Sequence, residues 1–454
     1  MHVVEFEGLR VLLECGLFQG RRSESRERNL NFPFEPDEIH SCVLSHAHID
    51  HSGNIPNLVK KGFEGTIFAT RATQDLCGAM LRDSAKIHEH DASWLNKRAQ
   101  RQGKPPIEPL YTMEDAEASL YNFHGLAYGR PFHILRHLRC TFHDAGHILG
   151  SAISHLEIGE GAQRHHLVFT GDLGRQNMPI LRNPQIPPGA DTLIMESTYG
   201  NRCHVPVGDT RRQMLEAIGP ALARGGKVII PSFSVGRTQE IVYHLRHLWH
   251  EDALPRVPVF VDSPLSVNVT EVFRHHPECY DRETRDILLA EGNGANDPFG
   301  FATLQYVRDV ERSKELNGLT MPCIIISSSG MCEAGRILHH LRNTIEDSRN
   351  LILITGHMAQ NTLGRRLAEG HEEVRIFGEP HRVRAEVRVI TSLSAHADSD
   401  DLVGFAVELN RRHPLRRIFL VHGEEEPRRA LAERLRAEIP AEVISPEMGR
   451  HYPL

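Results

Sequence analysis

Four side chains of metal-ligand type stand within six residues in Ser45-His46-Ala47-His48-Ile49-Asp50-His51, directly after the apolar run Cys42–Leu44. A strand there delivers the backbone to the edge of a sheet, and the turn beyond it presents the ligands. His46 and His48 are two apart, so in an extended segment they point to one side. Asp50 and His51 follow as the chain turns into a helix expected near Asn54–Lys60. One segment can thus feed two metal ions, His46 and His48 to one, Asp50 and His51 to the other. Imidazole and carboxylate without thiolate suit Zn²⁺, with Mn²⁺ or Fe²⁺ as alternatives. The chain is rich in histidine, with 30 in 454 residues, so a single histidine carries no weight; the cluster does.

Further ligand types recur after other strands. Asp144-Ala145-Gly146-His147 follows Leu138–Phe142, Thr170-Gly171-Asp172 follows His166–Phe169, and Val421-His422-Gly423 follows Arg417–Leu420. Each is an imidazole or carboxylate beside a glycine at a strand's C-terminal end. Together they complete two sites: His46, His48 and His147 with Asp172, and Asp50, His51 and His422 with Asp172. A shared Asp172 would hold the ions about 3.5–4 Å apart, the spacing of two-metal hydrolysis. His357 has no such context. The pairs His165-His166, His275-His276 and His339-His340 read as surface or helix residues.

Composition narrows the setting. The eight cysteines form no C-x-x-C pair, which disfavours a thiolate zinc site or a disulfide framework and suits reduced, intracellular thiols. The N-terminus, Met1-His2-Val3-Val4-Glu5, lacks the basic and apolar regions of a signal peptide, and no apolar run reaches the roughly 18 to 20 residues that span a bilayer. The expectation is a cytoplasmic protein without a membrane partner. A net charge of -7 means that any polyanion must be held by a local basic cleft.

Residues 1 to about 200 alternate short apolar runs with Gly- and His-bearing turns: Leu9–Leu13, Ser41–Leu44, Thr66–Ala69, His166–Thr170 and Thr192–Met195 read as strands. Residues 201–388 alternate helical patterns with apolar strands, as in Thr210–Ala223 then Lys227–Pro231, which implies a largely parallel α/β sheet. Residues 389–454 return to the first style, with strands at Val387–Thr391 and Arg417–Val421. Two turns in the middle region, Ser232-Phe233-Ser234-Val235-Gly236-Arg237 and Ser327-Ser328-Ser329-Gly330, sit between a strand and a helix, where phosphate binds readily. Ser232, Ser234, Arg237, Ser328, Ser329 and Gly330 are therefore candidate phosphate or RNA contacts. No G-x-x-x-x-G-K-[ST] element supports P-loop chemistry.

These motifs in this order resemble the metallo-β-lactamase superfamily, and within it the β-CASP nucleases of RNA processing. The likeness is strongest to prokaryotic relatives of the nuclease subunit of the cleavage and polyadenylation specificity factor. It covers essentially the whole chain. The superfamily's H-x-H-x-D-H element is His46, His48, Asp50 and His51; later ligands match His147 and Asp172. The β-CASP motifs match Glu196 in Met195-Glu196-Ser197-Thr198-Tyr199-Gly200, His396 in Ser394-Ala395-His396-Ala397-Asp398, and His422 in Leu420-Val421-His422-Gly423-Glu424. Histidine at the last position goes with the RNA-processing members. Two departures stand out. The usual Asp of the first motif is Glu14 in Leu13-Glu14-Cys15-Gly16, a residue expected to orient the ligand loop from behind the metals. Relatives also begin with an extra strand ahead of the segment matching His2–Glu5, and this chain begins without it.

The resemblance implies an α/β chain with a four-layer αβ/βα metallo-β-lactamase domain built from residues 1–200 and 389–454. A β-CASP α/β domain, 201–388, is inserted between them, with the site in the cleft. It implies a zinc-dependent ribonuclease with two Zn²⁺, or Mn²⁺, acting on RNA, and a second copy of the chain as a candidate partner. Two cations would activate a water and neutralise a phosphate oxygen. Glu196, His396 and Asp50 are the catalytic candidates, with His396 as general acid, held and polarised by Glu196. Two rivals remain at this stage: a small-molecule hydrolase of thioesterase or lactonase type, and a non-catalytic RNA-processing subunit.

Overall fold

In the computed structural model, which describes all residues except 19–21, 101–102, 104, 162–163, 206, 291–295 and 357, the chain divides into two units. The first comprises Met1–Gln176, Asn183–Cys203 and His396–Leu454; the second comprises Asn177–Arg182 and His204–Ala395. His357 lies outside the described residues. Among those described, no helix is long and apolar enough to cross a membrane.

The first unit holds two sheets. One has five strands in the order His2–Phe6, Leu9–Leu13, Ser41–Val43, Thr66–Thr70 and Phe123–Leu126, the first pair an antiparallel hairpin and the rest parallel. The other has seven, in the order Glu442–Ile444, Arg417–Val421, Thr192–Glu196, His165–Phe169, Ala152–Ile158, Leu138–Asp144 and Phe132–Leu135. Its first four strands run parallel and the remainder antiparallel.

Side-chain period explains how the sheets pack. Along Leu138–Asp144 the residues Leu138, Cys140, Phe142 and Asp144 are buried while those between are only partly so, the alternation of a strand with one dry face. Those apolar residues join Leu156, Leu167, Phe169, Ile194 and Phe419 in one core with Val4, Val11, Leu13, Val43 and Phe68 of the five-stranded sheet. Thr192–Glu196 is buried along its whole length, as a parallel strand covered on both faces must be. Its other face, with Ile153, Val168, Ile418 and Leu420, meets Leu402, Phe405 and Leu409 of the helix Ser399–Arg412 and Leu431 and Leu435 of Glu425–Glu438. The helix Arg71–Gln100 lies against the strands Thr66–Thr70 and Phe123–Leu126. The layers thus run αβ/βα, the order the resemblance implies.

The second unit has six parallel strands in the order Leu304–Val307, Val259–Asp262, Ile324–Ser327, Val228–Pro231, Leu351–Ile354 and Glu386–Val389. The helix Thr210–Ala223 leads into Val228–Pro231, and Arg237–His250, Pro264–His275, Val310–Gly318 and Arg336–Thr344 lie in the connections between later strands. Two local readings change. The strand expected at Val387–Thr391 is Glu386–Val389 and pairs with Leu351–Ile354, so it closes this sheet and the chain rejoins the first unit at His396. His165 and His166 lie in a strand, and His340, in a helix, is buried against Asp262 with Nε2 2.6 Å from Oδ2. Pairing partners far along the chain decide such cases, and local pattern does not reveal them.

Candidate active site

The candidate ligands lie at or just past the C-terminal ends of first-unit strands. His46–His51 follows Ser41–Val43, His147 follows Leu138–Asp144, Asp172 follows His165–Phe169, and His422 follows Arg417–Val421. The helix expected near Asn54–Lys60 is Ile55–Lys60 with Asn54 at its start. A separate single turn not foreseen, Ile49–Ser52, precedes it, holding Asp50 and His51 with His48 at its start. Glu14 and His422 each leave a strand with positive φ, 67° and 46°. Non-glycine residues rarely accept that conformation, and such strain gathers at functional sites.

The ring nitrogens converge. Nδ1 of His48 lies 3.2 Å from Nε2 of His46 and 3.2 Å from Nε2 of His147. Oδ2 of Asp172 lies 3.6 Å from each of the latter two. Four donors at 2.0–2.1 Å from a tetrahedral zinc are about 3.3–3.4 Å apart, so this set fits a cation of that size. On the other side of the carboxylate, Oδ1 of Asp172 is 3.3 Å from Nε2 of His51 and 3.3 Å from Nδ1 of His422. Nε2 of His422 is 3.3 Å from Nε2 of His51 and 3.5 Å from Oδ2 of Asp50. Oδ1 of Asp172 is buried and accepts no hydrogen bond. An orphaned carboxylate oxygen facing imidazole nitrogens is costly without a cation. His46, His48, His147 and Asp172 form one grouping able to hold a metal, and Asp50, His51 and His422 another.

Electrostatics favour neutral imidazoles at His46 and His48. Burial, with the charge of His51, pushes His46 well below the usual histidine range, and burial takes His48 down to about 4. In the second set burial opposes protonation of His51, but the carboxylates of Asp172 and Glu14 outweigh it and raise the group. Asp172, although buried, is held well below the carboxylate range by His422 and His51.

Glu14 sits behind the ligands. Its carboxylate accepts from the Ser45 amide at 2.6 Å and the Ser45 hydroxyl at 3.0 Å, and from Nδ1 of His51. The Ser45 hydroxyl in turn faces Nδ1 of His46 at 2.9 Å. Protons held at both Nδ1 atoms leave both Nε2 lone pairs turned toward the centre. The longer glutamate thus reaches the ligand loop. Glu14→Ala is expected to weaken metal affinity about 10- to 100-fold, as loss of a ligand-orienting partner usually does; competition with a chromogenic chelator measures it, and an unchanged affinity would remove this role.

The loop itself is held by a close backbone crossing. A Cβ on Gly16 would lie 1.6 Å from the Asp50 carbonyl oxygen. Gly16→Ala must push the Asp50–His51 turn away, at a cost of about 4 kcal/mol or more. Thermal unfolding of the variant tests this, and a parent-like midpoint would contradict it.

Beside the ligands, Glu196 closes the strand Thr192–Glu196 and is fully buried. Both its oxygens lie 3.2 Å from Nδ1 of His396, and Oε1 accepts the Leu173 amide at 2.6 Å. Nε2 of His396 faces Oδ2 of Asp172 at 3.9 Å. Burial pulls the His396 imidazole down, but Glu196 and Asp172 raise it to about 9. Its position is fixed by the Ala397 amide, which donates to Leu173 O at 2.7 Å.

Sequence reasoning passed over Ser45 and Thr198. The Thr198 hydroxyl donates to the His422 carbonyl at 3.1 Å and lies 3.2 Å from its Nδ1. Its position two residues past Glu196, inside the quoted motif, was the available signal.

In the second unit the phosphate candidates divide. Ser232 is buried, donating to Phe233 O and accepting from Thr238. Arg237 reaches the Thr355 carbonyl and lies 3.5 Å from the Glu240 carboxylate, so both residues serve the fold. Ser328 donates to Ser263 at 2.9 Å, with Ser234 3.5 Å from the same hydroxyl, so three hydroxyls gather past the ends of adjacent parallel strands. Ser263, which caps the helix Pro264–His275, was not foreseen. Ser329 accepts the Glu333 amide at 3.2 Å, and Gly330 packs against the Phe233 ring.

Comparison with known families matches residues 1–232 to the metallo-beta-lactamase superfamily, 238–367 to the Beta-Casp domain, and 380–446 to the Zn-dependent metallo-hydrolase RNA specificity domain. The chain is 37% identical to ribonuclease TTHA0252 of Thermus thermophilus over 96% of this chain and 92% of that protein. It is 30% identical to transcription termination factor FttA of Methanosarcina mazei over 92% of this chain, but spans only 63% of that protein's length. With FttA of Methanothermobacter thermautotrophicus the identity is 32%, over 91% and 63%.

Proposed function

The chain belongs to the metallo-β-lactamase superfamily, in its β-CASP branch, and on that footing we propose that it is a ribonuclease that hydrolyses RNA phosphodiester bonds at a two-zinc centre. The observation that carries this reading is the pairing of two converging ligand sets with a separate buried carboxylate–histidine couple, Glu196 and His396, at the same centre. A small-molecule hydrolase needs the ligands but not the couple. The likeness to a named ribonuclease along nearly the whole chain supports the same choice.

His46, His48, His147 and Asp172 would hold one cation and Asp50, His51 and His422, with Asp172, the other. Such a pair, when bound, supplies an activated water at neutral pH and offsets phosphate charge. The protein's own groups do the rest. Ser45 and Glu14 keep the Nδ1 protons of His46 and His51 in place and their Nε2 atoms inward. Glu196 keeps a proton on Nδ1 of His396 and favours its charged form. His396 then releases the proton on Nε2 to the departing ribose oxygen. In the second unit, the hydroxyls of Ser234, Ser263 and Ser328 are the candidate contacts for phosphate.

The direct test is elemental analysis of the purified protein, together with assays on labelled single-stranded RNA, a thioester and a lactone. Two equivalents of zinc and chelator-sensitive cleavage of RNA alone are expected. Hydrolysis of only the thioester or lactone, or no hydrolysis by the metal-loaded protein, would overturn the reading.

A further inference from the structure

Past Glu196 the chain makes a tight turn whose backbone is held at several points. Gly200 N donates to Ser197 O and Arg202 N to Tyr199 O, both at 3.2 Å. Ser399, the first residue of its helix, donates its amide to Arg202 O at 3.1 Å and its hydroxyl to Gly200 O at 2.8 Å. Gly200 has no room for a side chain, since a Cβ there would lie 2.5 Å from Pro427 O.

This turn presents an aromatic ring and a planar cation. The Arg202 guanidinium lies over the Tyr199 ring, 4.3 Å from its centroid. The ring stands nearly perpendicular to that of His396, with centroids 5.8 Å apart and planes at 80°. Tyr199 is half-buried and Arg202 exposed. Among the described residues no carboxylate forms an ion pair with Arg202. An adjoining hollow of about 290 Å³ is lined in part by Arg202, Cys203, Ser399, Glu433 and Arg434. Arg434 is tied to the Ser399 hydroxyl at 2.6 Å and to Asp400 at 2.7 Å, so that wall is also set in advance.

We propose that Tyr199 and Arg202 form a stacking platform that seats one unpaired base of single-stranded RNA beside His396. The proposal rests on the ribonuclease reading above and names a positioning element within it. The Tyr199 ring holds the guanidinium flat by cation–π attraction, and among the described residues no carboxylate is ion-paired with it. The outer face of that plane is free to take a base, the way single strands are commonly held by aromatic and arginine surfaces. Stacking is indifferent to base identity, so the platform fixes where the strand lies without reading its sequence. The ring's nearness to His396 ties that placement to the atom proposed to deliver the proton.

Stopped-flow fluorescence anisotropy, which reads binding before turnover, tests this with a short labelled oligoadenylate and an abasic oligonucleotide of the same length. The parent protein is expected to bind the base-bearing strand about tenfold more tightly, the usual scale of a stacking contact. Tyr199→Leu and Arg202→Ala should bring the two strands close to equality. Tyr199→Phe, which keeps the ring, should retain the preference, and Arg202→Lys, which keeps only the charge, should not. Equal weakening for both strands would mean a phosphate contact and would overturn the platform, as would parent-like discrimination by Arg202→Ala. Arg202 is exposed, so that variant reports even where Tyr199→Leu unfolds. A parent protein that shows the preference but cleaves no RNA would refute the ribonuclease reading and leave the platform standing.

Discussion

Asp172→Ala is expected to empty both metal positions and to reduce RNA cleavage by about 10⁴ or more. The carboxylate faces both ligand sets, Oδ2 toward His46 and His147, Oδ1 toward His51 and His422. It is buried and its Oδ1 has no hydrogen bond, so its removal takes away a negative charge that both sets face. A metal pair contributes several kcal/mol of transition-state stabilisation, and each 1.36 kcal/mol is a factor of ten in rate. Losing about 5–6 kcal/mol gives the stated effect. His46→Ala serves as the contrast: it removes a donor from one set and should leave roughly one metal per chain. Asp172→Asn keeps the volume and guards against reading a folding defect as a metal defect. Elemental analysis that finds two metals in either Asp172 variant would sink the bridging role.

His396→Ala should behave in the opposite manner, keeping both metals while cleavage falls by roughly 10² to 10⁴, the usual contribution of a positioned acid. His396 contacts the centre from outside both ligand sets, its Nδ1 engaged by Glu196 at 3.2 Å. Glu196→Gln should lower cleavage more mildly, because the imidazole stays but loses the charge that favours its protonated form. Metal content and single-turnover cleavage, measured on the same preparations, separate the possibilities. Loss of metal in His396→Ala would make it a ligand; cleavage at the parent rate would move the proton source to water. Glu196 also falls within ligand distance of Asp172 and His422, so its metal content is the sharper control.

Much of the candidate centre is legible in the chain because its parts are local. The His46–His51 segment carries four donors at fixed offsets, and each of His147, Asp172 and His422 stands with a glycine beside a strand end. The strands themselves show in short apolar runs, and the observed Leu9–Leu13 and Thr210–Ala223 have the limits the pattern suggests. Elsewhere the local signal fails for physical reasons. Glu386–Val389 looks like the start of the last region but pairs with Leu351–Ile354, a choice made by sheet pairing rather than by its own residues. Arg237 at the head of a helix looks like a phosphate contact, yet its side chain turns inward to Glu240 and Thr355.

By itself the sequence determined which donors exist, their types and their order, since residue identity and short-range spacing need no tertiary contact. Only the folded chain decided how they combine. Glu14 and His51 are 37 residues apart, Glu196 and His396 are 200, and His51 and His422 are 371. Strands from the two packed sheets of the first unit bring those groups within hydrogen-bonding reach. The same packing sets Ser45 behind His46, Thr198 against His422, and the Arg202 guanidinium over Tyr199 beside His396. Side-chain direction, burial and the resulting shifts in proton affinity depend on neighbours from distant segments, and short-range spacing does not encode them.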